Sequence, residues 1–456
     1  MSRAELFEHF SYTSNHMPTT SQLIRSIALL LIASPLAAAG QSLSPAERRM
    51  QSYVEQHVAE QIAFVGRVVD IGSGTMNHAG VRAVGEEFAR ELRSLGFETR
   101  WVSLPDSVKR AGHLFAEHKA RKPRKGRRLL LLGHLDTVFE GEGQKWTILD
   151  DSTAKGAGSS DMKGGDAVIL YALKAMAAAG TLEDTDIIVA LMGDEELAGE
   201  PFSVSRAALI DAAKRSDAVL AFEEDAGKAT VARRGWSSWL LTVSAKPSHS
   251  QGIFSAASGY GAVYEAARIL NAFRETMAGE QYLTFNPGVI VGGTNVAYDT
   301  TLNSGTASGK LNIIPKTVQV QGDLRFLTLE QLHKARSRMR EIVATNLAGT
   351  SAAITFSVES PPMPPTPGNY ALLATLDTVT RALGMGPTEA LDPGLRGAGD
   401  ISFVASYVDA LDGLGPVGNA GHTPDETVNL KSIPRATVRA AVLINRLAHT
   451  RKASVR

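Results

Sequence analysis

Five short segments concentrate histidine and acidic side chains. They are Gly133-His134-Leu135-Asp136-Thr137-Val138, Gly156-Ala157-Gly158-Ser159-Ser160-Asp161-Met162-Lys163-Gly164-Gly165, Gly193-Asp194-Glu195-Glu196, Phe222-Glu223-Glu224-Asp225 and Gly421-His422-Thr423-Pro424-Asp425-Glu426. A His–x–Asp spacing puts both side chains on one face of an extended chain, and a carboxylate commonly orients a metal-binding imidazole. Taken alone the pair is weak, because a buried histidine with its own hydrogen bonds reads the same way. Asp161, in a Gly-rich loop before a helix, reads by itself as an N-cap. Three adjacent acids after an apolar strand are costly unless exposed or metal-bound. The chain has no cysteine, which excludes disulfides, thiolate zinc sites, iron–sulfur clusters and cysteine nucleophiles. Any metal must therefore be held by His, Asp and Glu. No Walker loop, GxGxxG turn or GxSxG elbow competes with this reading.

The elements that must position these side chains follow from the hydrophobic pattern. Residues 127–132, 186–191 and 218–222 are short apolar runs without alternation, the signature of buried parallel strands. Helical stretches at 164–178 and 206–214 lie between them, so the order is that of an α/β layer fold. In such sheets ligands bind beyond the strand ends, where the His- and acid-bearing segments fall. Two further helices are predicted at 44–70 and 81–95. The pattern then changes to strand 236–245, helix 262–274, strands 289–291 and 317–326, helix 329–344 and strand 353–358. That order predicts a small α+β sandwich with one alternating, half-exposed sheet. Five prolines at 361–367 mark a stiff linker, after which helices at 371–383 and 434–447 resume the α/β character. The small unit is thus inserted into the larger one.

The 456 residues, at ~150 per domain, allow roughly three domain-sized units or two with one enlarged. With 44% hydrophobic and 21% charged residues the chain can bury a sizeable core. Lys+Arg and Asp+Glu are 47 each, which argues against a whole-chain polyanion binder, so no nucleic-acid partner is expected. The basic run Lys119, Arg121, Lys122, Arg124, Lys125, Arg127 and Arg128 reads as a solvated loop before a strand. Residues 23–39 carry Arg25, an apolar run at 27–36, and Ala37 and Ala39 as a small-x-small cleavage site. Broken by Pro35, the run is too short to span a bilayer comfortably. Residues 1–39 are therefore predicted to be a signal peptide, with Met17 as a start giving normal proportions. The mature protein is expected to be secreted, periplasmic in a diderm bacterium, with no membrane anchor.

Taken together and in this order, the five segments resemble the di-zinc metallopeptidase superfamily of glutamate carboxypeptidases, aminoacylases and succinyl-diaminopimelate desuccinylases. The likeness runs from about residue 45 to the C-terminus. Gly397-Ala398-Gly399-Asp400 and residues 412–434 carry a likeness to the bacterial folate-hydrolysing glutamate carboxypeptidase branch. The resemblance implies a zinc-exopeptidase-like catalytic domain (40–234 and 361–456) with an inserted lid and dimerisation domain (235–360). It implies two Zn2+ per subunit, replaceable by Co2+ or Mn2+. His134 and Glu223 would bind one ion, His422 and Glu196 the other, and Asp161 both. Glu195 would be the general base, and Asp136 would orient His134. Glu224, directly after Glu223, competes for its place, and the strand-end position favours Glu223. His249, in Ser248-His249-Ser250, would reach a partner subunit's site and stabilise the oxyanion. Arg325 would clamp the substrate carboxylate, with a structural Arg–Asp pair on its strand as the alternative. Asn312 would join it in binding substrate. The substrate would be a small peptide or N-acyl amino acid, and the assembly a homodimer. Relatives commonly hold the bridging Asp with a cis peptide on its C-terminal side, here Asp161–Met162. The stretch 294–310 is longer than in typical relatives.

Overall fold

The computed structural model describes residues 42–122, 126–141 and 145–450. The targeting segment expected at 1–39 lies outside the described residues. Among the described residues no helix is long and apolar enough to cross a membrane.

A six-stranded sheet carries the larger part of the fold. Its spatial order is Glu98–Val102, His113–His118, Ile187–Met192, Leu129–His134, Ala218–Ala221, Ala410–Leu411. The last four strands are parallel to one another, and the first two join antiparallel. Leu129 to Leu132 and Ile187 to Met192 are buried along their whole length. Both faces of these strands are covered, which is why their sequences are apolar without alternation. Helix Lys163–Ala178 packs on one face with Pro45–Gln56, Val58–Val69 and Ser432–His449. Ala207–Lys214 covers the other, where Leu209, Ala212 and Ala213 meet Leu130, Leu132, Ile188 and Ala190.

Helix Pro45–Gln56 opens with Pro45 at its first position and a capping box between Ser44 and Glu47. The single helix expected at 44–70 is two, because the backbone leaves helical geometry at His57 (φ −113°, ψ 16°), whose ring stacks on Tyr53.

The second sheet is antiparallel, in the order Thr350–Phe356, Gly235–Ala245, Thr317–Phe326, Thr284–Gly293. Strand Gly235–Ala245 is buried at every other residue. Its inward Trp239, Leu241 and Val243 pack with Val318, Val320, Leu324 and Phe326 against helices Gly261–Met277 and Leu329–Ala344. Trp239 meets Phe273 edge to face and donates its indole N–H to the Asp323 carbonyl at 3.0 Å. The strand–helix–strand–strand–helix–strand order is the expected one. Residues 294–310 are a polar hairpin, Asn295–Asp299 paired with Ser304–Ser308. The Pro-rich stretch 361–367 is not a free linker. Met363 is fully buried, and its main chain exchanges two hydrogen bonds with Arg233 at 2.9 and 3.0 Å.

Candidate metal centre

His134 ends the strand Leu129–His134 and is 1% exposed. Its Nδ1 bonds the Asp136 main-chain carbonyl at 3.0 Å. A carbonyl accepts only, so Nδ1 carries a proton there, and Nε2 is the nitrogen that would face a metal ion. That Nε2 lies 3.0 Å from Asp161 Oδ1 and 4.0 Å from Glu223 Oε1.

The Asp136 carboxylate does more than face the histidine, whose Nδ1 is 3.6 Å from its Oδ1. Oδ1 accepts the Glu195 N–H at 3.0 Å, and Oδ2 accepts the Glu196 N–H at 3.1 Å and the Thr75 hydroxyl at 2.6 Å. One buried carboxylate thus ties the His134 strand end to the turn that carries Glu195 and Glu196.

Asp161 stands between the two histidines. Its Oδ1 faces His134 Nε2, and its Oδ2 is 3.1 Å from His422 Nε2, which is also 3.0 Å from Glu196 Oε2. The Asp161–Met162 peptide is cis, and helix Lys163–Ala178 begins directly after it. Gly165 on the first turn lets the helix approach the Phe222 carbonyl, where a Cβ would collide. The loop is thereby seated against the segment that presents Glu223. Two triads result, His134–Asp161–Glu223 and Asp161–Glu196–His422, each with its ligand atoms within 4.8 Å of one another.

Charge explains why these groups hold together. Burial pushes the Glu223 carboxyl up to about 7, and the Asp161 charge adds to it, against His134 and Arg233. Burial likewise raises Glu195 well above the usual carboxylate range, against the His134 charge and aided by Glu223, Asp400 and Glu196. Burial opposes ionisation of Asp161, yet hydrogen bonds from His134 and His422 hold it below the usual range. Bonds to Asp161 and Glu196 hold His422 up at about 11. So many carboxylates around two imidazole nitrogens call for added positive charge. Two nitrogen donors with three carboxylates, one of them shared, is a donor set that suits a pair of divalent ions such as Zn2+, Co2+ or Mn2+.

All five residues expected as ligands are therefore brought together, and Glu195 lines one cavity with His134, Glu223, Arg233 and Asp400. Glu224 is outside the triads, and its main-chain carbonyl accepts from Arg396. None of the expected substrate residues belongs to either triad. His249 is exposed, and its Nδ1 accepts the Gln251 N–H at 3.2 Å. Asn312 is exposed, and its carbonyl accepts the Ser250 N–H at 2.9 Å. Arg325 pairs with Asp323 at 3.1 Å, and a side chain added at Gly397 would come within 3.7 Å of its Nη1. It thus lies beside the loop that leads to Asp400.

Several supporting residues went unnoticed in the sequence. Arg233 pairs with Asp412 at 2.7 Å, stands 3.9 Å from Glu223 and bonds the Gly397 carbonyl at 2.8 Å. Arg206, fully buried, bridges Asp194 at 2.6 Å and Asp400 at 2.8 Å. Asp194 thus escapes the cost of a buried acid through an ion pair, not a metal. Its place at the head of the acidic run and Asp400's place after Gly397-Ala398-Gly399 were the available signals. Nothing in the pattern marks Thr75.

The profile of peptidase family M20/M25/M40 matches residues 130–446. The chain is similar to carboxypeptidase G2 of Pseudomonas sp. (strain RS-16), 26% identical over 92% of this chain and 97% of that one. It is also similar to a succinyl-diaminopimelate desuccinylase of Acidiphilium cryptum (strain JF-5), 27% identical over 76% of this chain and 88% of that one. Among solved structures, the aminopeptidase PepT of Bacillus cereus superposes with a TM-score of 0.69 at 18% identity, over 86% of this chain and 99% of that one.

Proposed function

Because the chain belongs to peptidase family M20/M25/M40, we propose that it is a two-zinc hydrolase that cleaves the amide next to a free carboxylate and releases a C-terminal amino acid such as glutamate. The observation that carries this reading is Asp161, which offers one oxygen to each histidine at 3.0 and 3.1 Å. His134, Asp161 and Glu223 would hold one ion, and Asp161, Glu196 and His422 the other. The chemistry such a pair supplies when bound is a water acidic near neutral pH and polarisation of the scissile carbonyl. Glu195 takes the proton of the attacking water and delivers it to the leaving amine. Its raised proton affinity suits both halves of that shuttle, and Asp136 fixes its main chain. Arg325, through its planar guanidinium, clamps the substrate carboxylate. A binding protein on this fold would have no use for Glu195. The name of the desuccinylase relative favours a second reading, in which the enzyme removes an acyl group from an N-acyl amino acid.

A panel of N-acyl glutamates, other N-acyl amino acids and an N-succinyl diamino acid tests both readings through release of free amine. Cleavage is expected wherever the leaving amino acid keeps its carboxylate. Amidating that carboxylate removes a charged hydrogen bond and is expected to lower kcat/KM by about ten- to hundredfold. Failure of the zinc-loaded protein to cleave any member would refute the proposal.

His249, exposed in its own chain, would serve the site of a second subunit in a two-fold dimer. Mixing inactive His249→Ala and Glu195→Ala chains under subunit exchange is then expected to restore roughly a quarter of wild-type activity, since one site in each mixed dimer is intact. Exchange without recovery would rule out action in trans.

A further inference from the structure

Glu426 lies four residues beyond His422 and is 1% exposed. Its side chain reaches the loop that ends at Asp161. Oε2 accepts the Gly158 N–H at 2.8 Å. Oε1 accepts the Ser160 N–H at 2.8 Å, the Ser160 hydroxyl at 3.1 Å and the Asp161 N–H at 3.1 Å. The Glu426 main-chain carbonyl accepts the Gly156 N–H at 3.3 Å. A carboxylate accepts and does not donate, and here four donors converge on it, three of them on Oε1.

The two segments joined in this way supply different ligands. Gly156 to Asp161 ends in the residue that faces both histidines, and 421–426 carries His422. His422 is exposed, with φ at 63°, and residues 423–425 are exposed as well. Within 421–426, Glu426 alone is buried. A second tie between the segments, Lys155 Nζ to Asp425 Oδ1 at 2.9 Å, lies at the surface, where ion pairs are worth little.

We infer that Glu426 is a positioning residue of the metal centre: its carboxylate gathers the Asp161 loop and locks it in register with His422. The ion shared by Asp161, Glu196 and His422 then depends on it most. This inference rests on the two-ion reading of the centre. A wild-type chain that fails to bind two ions would overturn that reading, whereas the variants below address Glu426.

Glu426→Gln keeps the size of the side chain but turns an NH2 group toward main-chain N–H donors. Cobalt(II) titration, read both by its visible absorption and by bound metal, follows the two ions separately from activity. The Gln variant is expected to bind the His422-side ion about 10- to 100-fold more weakly, with an altered absorption band and the His134-side ion less affected. Glu426→Asp, one methylene too short to reach, is expected to behave the same way. Lys155→Ala is expected to leave both affinities unchanged. A folded Glu426→Gln chain with wild-type cobalt affinities and spectrum would overturn the inference. Should that variant not fold, Ser160→Ala removes one of the four donors and is expected to weaken the same ion by about two- to tenfold. Unchanged affinity there would equally overturn it.

Discussion

Glu195→Ala is expected to lower kcat by about 10²- to 10⁴-fold while leaving the bound metal in place. Glu195 is absent from both triads, so its removal takes no ligand away. What it removes is the half-buried carboxyl with raised proton affinity beside His134 and Glu223. The loss belongs in kcat, with KM little changed, because the proton moves only after substrate is bound. Steady-state kinetics with metal analysis of the same preparation checks both halves. High activity in the variant would remove Glu195 from the chemistry. Loss of metal with activity would instead make it a ligand.

Asp161→Asn is expected to do more damage, of a different kind. The substitution keeps the shape of the side chain, and the Asp161 main-chain N–H still reaches Glu426. It replaces one oxygen by an NH2 group, which cannot ligate. One of the two histidines then loses its shared carboxylate partner. Bound metal is expected to fall to at most one ion per chain, and activity by at least about 10³-fold. Metal analysis and kinetics separate this from Glu195→Ala, which loses turnover alone. An Asn variant that keeps both ions would show that Asp161 does not bridge them.

The candidate ligands stood out in the sequence because their chemistry is restrictive, and the family resemblance assigned them to the two ions. Without cysteine, only His, Asp and Glu could serve, and each candidate followed an apolar run or sat in a Gly-rich loop. The buried strands 129–134, 187–192 and 218–221 were legible for a related reason, since covering both faces demands continuous apolar residues. The strands Glu98–Val102 and His113–His118 were missed, because at the antiparallel side of the sheet polar residues interrupt the apolar ones. The break at His57 was hidden because two consecutive helices keep one apolar periodicity. Glu426 sat in a motif that drew attention, but its partners lie 265 to 268 residues away in the chain. Spacing cannot announce such a contact, and the same holds for Thr75 with Asp136 and for Arg233 with Asp412. His249, Asn312 and Arg325 entered through family likeness, and none of them belongs to either triad.

The most direct test is a zinc titration of the metal-stripped chain, with activity on a cleaved N-acyl amino acid and bound metal measured at each step. Two ions per chain are expected, one for each triad, with activity absent at the start and complete near two equivalents. Activity that survives complete removal of metal, or saturation at a single ion with full turnover, would contradict the two-ion account.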